Sequence, residues 1–140
     1  MHIACIQDRS DVVKLLLTIC TDKTLYLQSR FGSTPLIIAC RKSKPVIIEL
    51  LLEHTKNIQK MLTIQDNHLN TPIHYICAHN KHAIINFILK KYNILPLFTN
   101  LKNKTNHTAF DLITDIDIIK LIKCKSIENY ERNDTLLIKG

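Results

Sequence analysis

The sequence predicts an all-α fold, a row of stacked helix-turn-helix units. Three observations point to it. First, the chain repeats itself: "MHIACIQDRSDVVKLLL", "TPLIIACRKSKPVIIELLL", "TPIHYICAHNKHAIINFIL" and "TAFDLITDIDIIKLI" align with Met1, Leu36, Ile73 and Phe110 in register, at spacings of 35, 37 and 37 residues. A period of this size marks supersecondary units that bury their apolar faces against one another. Second, each stretch holds two apolar runs divided by a short polar break. Third, of the 140 residues 46% are apolar and 22% charged, enough to build a packed core.

In the first run of each unit, Thr-Pro is a helix start. Thr34 and Thr71 are caps, and Pro35 and Pro72 suit the first helical turn, where a missing amide hydrogen costs nothing. Ala4, Ala39, Ile76 and Ile113 share one apolar column, and Cys5, Cys40, Cys77 and Thr114 the next. The breaks fall at Asp8-Arg9, Ser43-Lys44 and Asn80-Lys81, where Asp and Asn tolerate positive φ. In the second run, Val12, Val13, Leu15, Leu16 and Leu17 match Ile47, Ile48, Leu50, Leu51 and Leu52, and then Ile84, Ile85, Phe87, Ile88 and Leu89. This exceeds one helical face, as a helix lying between two neighbours requires.

The stretches "TPLIIAC" and "TPIHYIC", the paired apolar helices and the period resemble ankyrin repeats, over about residues 1–122. The resemblance implies a solenoid with short β-hairpin-like loops, in units of about 1–31, 32–68, 69–105 and 106–122, followed by a tail at 123–140 that is either a cap or disordered. Unit one begins inside its own motif at Met1-His2 and reads as part of a longer array. Unit four keeps Thr108-Ala109 but loses the proline and reads as a terminal cap. Gly32 stands where the family has a positive-φ glycine, while Leu69 and Asn106 hold the equivalent places. Leu69 is therefore expected to be strained or locally remodelled. The long linker "HTKNIQKMLTIQDNH" reads as an extension of the second helix.

The same residues exclude several chemistries. Two glycines cannot build a phosphate loop. His74, Cys77, His79 and His82 have the residue types of a zinc site, but the turn at Asn80 puts His82 on another helix, so no metal or other cofactor is expected. Cys5, Cys40 and Cys77 sit in an inward column and read as inert, and Asp111, Asp115 and Asp117 as a polar turn and helix start, so no enzyme is expected. Five cysteines, an odd number without a C-x-x-C pair, suit reduced thiols in the cytoplasm, with the nucleus or delivery into another cell left open. No apolar run reaches the roughly 18 residues of a membrane span. The formal charge is +7, but the lysines are scattered and Trp is absent, which disfavours nucleic acid.

What remains is surface. The resemblance implies a concave groove lined by hairpin tips and first helices. Carried over by position, the groove residues are Arg30, Phe31, Ser33, Arg41 and Lys42, then Asn67, His68, Asn70 and His79, then Lys104, Thr105 and His107. The implied function is non-catalytic binding of another protein through an acidic or helical segment, with no small-molecule substrate, by a monomer. The alternatives are a structural spacer within a longer ankyrin protein and an oligonucleotide-binding ankyrin domain.

Overall fold

The computed structural model describes the backbone of residues 1–139 and the side chains of residues 1–132. Helices α1 (His2–Ile6) and α2 (Ser10–Ile19) form unit one, α3 (Pro35–Arg41) and α4 (Pro45–His54) unit two, and α6 (Pro72–Ala78) and α7 (His82–Lys91) unit three. A short α5 (Ile58–Thr63) lies between α4 and α6, and a long α8 (Ile116–Lys139) closes the described chain. The first helices stack α1 on α3 on α6, and α2 packs on α4. One continuous core runs through all the units, from Ala4 to Ile122.

The Thr-Pro starts work as local chemistry demands. The Thr34 hydroxyl accepts from the Ile37 amide at 3.2 Å. Thr71 does the same for His74, whose Nδ1 accepts in return from the Thr71 amide at 3.1 Å, a reciprocal cap. All three predicted breaks are left-handed, with φ of 56° at Asp8, 55° at Ser43 and 50° at Asn80. Each closes a Schellman motif. The amides of Arg9, Lys44 and Lys81 reach back to the carbonyls of Ala4, Ala39 and Ile76, and those of Asp8, Ser43 and Asn80 to the three column cysteines.

Two expectations change. The linker after α4 does not extend that helix. Thr55 is extended at φ −68°, ψ 142°, and α5 starts afresh under Asn57, which accepts from the Lys60 amide at 3.0 Å. The Thr55 hydroxyl holds the break by accepting from the Asn57 amide and bonding the Tyr26 hydroxyl at 2.9 Å, while Met61 and Leu62 of α5 are buried. In unit four the first helix shrinks to one 3-10 turn, Phe110–Leu112. Its start is still capped reciprocally: Asp111 accepts from the Thr108 amide at 2.9 Å, and Thr108 from the Asp111 amide at 3.2 Å. Helix α8 continues unbroken through position 123 and buries Ile118 and Ile122.

Candidate interaction surface

Each unit boundary projects a tight loop. Pairs of backbone hydrogen bonds define the tips: Ser29 with Ser33 and Gly32, Asp66 with Asn70 and Leu69, and Asn103 with His107 and Asn106. Tip residues Gly32, Leu69 and Asn106 have φ of 75°, 60° and 64°, so Leu69 carries the left-handed backbone expected of it.

A side chain at the foot of each tip holds its shape. Ser29 accepts from the amides of Phe31 and Ser33. Asp66 Oδ1 accepts from those of His68 and Asn70, and Asn103 Oδ1 from those of Thr105 and His107. Asp66 is buried, and its second oxygen accepts a short hydrogen bond from the Tyr75 hydroxyl. Burial, then this bond, raises the pKa of Tyr75.

Neighbouring tips are also joined. The Asn67 amide donates to the Phe31 carbonyl at 3.1 Å, and the Lys104 amide to the His68 carbonyl at 3.0 Å. Gln28 Nε2 donates to the Gly32 carbonyl in its own loop and to the Gln65 carbonyl in the next. Gln65 repeats this with Leu69 and Lys102. Gln28 and Gln65 lie 37 residues apart, as do Ser29, Asp66 and Asn103 in turn, so the period itself held this signal. The helix-start histidines add a third tie. His2 Nε2 lies 3.0 Å from the Ser33 carbonyl and His74 Nε2 3.1 Å from that of His107. Burial holds His74 below the usual imidazole pKa.

A family model described as ankyrin repeats, in three copies, matches residues 1–100. The chain belongs to the ankyrin repeat family. Comparison with curated proteins finds no match. Ankyrin repeats are in general protein-interaction modules, typically without catalysis.

The ankyrin array distributes the expected groove residues unevenly. Phe31 is 62% exposed at its tip, and the Arg30 guanidinium lies 5.2 Å from its ring centroid. Arg41, half-buried at the end of α3, reaches back to Ser33 Oγ at 3.4 Å. Ser33 itself is 1% exposed, because the tip closes over it, and it offers a partner no surface. Lys42, His68 and Lys104 are exposed. His79 is exposed and donates from Nε2 to the Arg41 carbonyl at 3.1 Å. Asn67 Nδ2 donates to the Arg30 carbonyl, and half-buried Asn70 bonds Tyr75 and Asn103, so both serve the scaffold. Thr105 Oγ1 bonds Asn103 and sits 2.9 Å from Nδ1 of exposed His107.

His74, Cys77, His79 and His82 do not converge: His74 and Cys77 are buried, while His79 and His82 are exposed on either side of the Asn80 turn. Burial pushes the Cys5 thiol up to about 11 and those of Cys40 and Cys77 further. Only a thiolate is a strong nucleophile, so all three are inert near neutral pH. Among the described residues, no helix is long and apolar enough to cross a membrane.

Proposed function

We propose that this ankyrin array is a non-catalytic module that holds another protein on the face made by its hairpin tips and first helices. The observation that carries the reading is Phe31, a large aromatic side chain held out at 62% exposure on a tip fixed by backbone hydrogen bonds to its neighbour. A rigid aromatic gives contact area at low entropy cost, and such residues together with Arg dominate binding hot spots. Arg30 stacks beside the ring, and Arg41 approaches from α3 through Ser33. The Arg30 guanidinium over the apolar anchor, with Arg41 bonded to Ser33 in the same tip, suits a segment bearing carboxylates, which a guanidinium can grip with paired hydrogen bonds. The partner is an acidic or helical segment, engaged by a monomer. The inert thiols suit work in the reducing cytoplasm.

The test begins with a partner captured on the immobilised domain, identified and purified. Replacing Phe31 and Arg41 together with Ala should weaken its binding by about 2 kcal/mol or more, a hot-spot magnitude, with an unchanged circular dichroism spectrum. Lys14, exposed on α2, serves as the control. A double variant that binds normally while Lys14→Ala loses the partner would move the site to the outer helices.

A further inference from the structure

A second surface lies away from the tips. Helix α8 and the end of α7, with the 3-10 turn Leu95–Phe98, enclose an open cleft of about 1090 Å³. No hairpin-tip residue lines it. Its apolar floor is half-buried Leu95 and Phe110 with exposed Pro96, resting on Leu89, Phe98 and Ile122, which are buried in the core. Its rim is cationic: Lys90, Lys91, Lys123, Lys125 and Arg132 line it, with Glu128 the carboxylate among them. Lys125 is paired with Glu128 at 3.0 Å and Lys91 with Glu53 at 3.3 Å. Lys90, Lys123 and Arg132 have no ion-pair partner among the described residues. Positive charge is thus left around an apolar trough on a chain whose net charge is already +7.

We infer that this cleft docks an acidic amphipathic segment of a partner protein, with carboxylates on the rim and apolar side chains on the floor. The charge of the rim calls for an anionic occupant, since opposite potentials across an interface steer binding and like charges oppose it. The rings decide which kind. Single-stranded nucleic acid needs successive exposed stacking platforms. Here Phe98 is buried and Phe110 half-buried, while half-buried Tyr92 spends its hydroxyl on the Leu52 carbonyl and has Lys91 Nζ 5.9 Å from its ring centroid. Tyr130 alone among them, 72% exposed, offers a bare ring. One platform over an apolar floor suits a peptide.

The test uses a fluorescein-labelled synthetic peptide with Glu and Leu at helical spacing, a poly-glutamate peptide without Leu, and an oligo-uridine strand. Fluorescence anisotropy should show the Glu/Leu peptide binding the intact protein best, and more weakly as salt is raised, because rim charges are screened. Reversing three charges together (Lys90→Glu, Lys123→Glu, Arg132→Glu) should weaken binding about tenfold or more, while reversing Lys14, exposed on α2 and outside the cleft, leaves it unchanged. Amide chemical shifts should move at the end of α7, at Leu95–Phe98 and along α8, which locates the site even if the triple variant folds poorly. The inference is overturned if the wild type does not bind the Glu/Leu peptide, if the folded triple variant binds it equally well, if the shifts move at the hairpin tips instead, or if oligo-uridine binds more tightly.

Discussion

Replacing Gly32 by Ala tests the tip-to-tip joint directly. Gly32 has φ 75°, where a side chain costs about 1–2 kcal/mol. A Cβ there would also stand 2.8 Å from the Asn67 backbone nitrogen and 2.6 Å from Asn67 Oδ1. The amide side chain can swing aside, but doing so strains its bond to the Arg30 carbonyl. The backbone nitrogen cannot retreat without stretching its 3.1 Å bond to the Phe31 carbonyl. Overpacking of this kind costs about 1–3 kcal/mol. Alanine restricts the unfolded chain and returns about 0.4–1 kcal/mol. The net loss should be about 1–4.5 kcal/mol, a sizeable part of the roughly 5–15 kcal/mol that holds a domain. Urea unfolding followed by circular dichroism would measure it. A loss under about half a kcal/mol, the range of an ordinary surface substitution, would show that the two tips do not meet as described.

Leu69 stands in the same register with φ 60° and is 41% exposed. Leu69→Gly gives up partial burial but releases a strain of about 1–2 kcal/mol that Leu69→Ala retains, so the same unfolding assay should rank Gly above Ala here, and the reverse order would refute a strained backbone. Leu51 is fully buried in α4 between neighbouring units, and Leu51→Ala should cost about 2–5 kcal/mol of unfolding free energy. His74 titrates with a folded pKa below its unfolded value of 6.5, because burial disfavours the cation and Nδ1 already accepts from the Thr71 amide. Protonation therefore favours unfolding, and stability should fall as pH drops below 6.5 and through the lower folded value. Urea midpoints measured near neutrality and at mildly acidic pH should differ more for the wild type than for His74→Gln.

What the sequence disclosed and what it hid divide along chain distance. The Thr34 and Thr71 caps and the left-handed residues Asp8, Ser43 and Asn80 depend on bonds within a few residues, so residue types and spacing were enough to find them, while the left-handed Leu69 was legible only through the resemblance to ankyrin repeats. The inward thiols followed from the register. The break at Thr55 was hidden because it leans on Tyr26, 29 residues earlier. The Tyr75–Asp66 bond and the Gln28 and Gln65 ties join groups that come together only once the tips are formed. Of the groove, Phe31 and Arg30 were legible as exposed tip residues. Ser33 was not legible as buried, since its burial comes from closure of the tip.

The column of Cys5, Cys40 and Cys77 places one thiol in each of three successive units, every one buried. Stacked repeats open in part, each unit held by its own stability and that of its neighbours. A thiol that is unreactive in the closed stack returns to ordinary chemistry when its unit loosens, and an adduct formed at that moment no longer fits the space the hydrogen left. A brief opening of a unit in the presence of an electrophile would thus be made lasting by its own thiol.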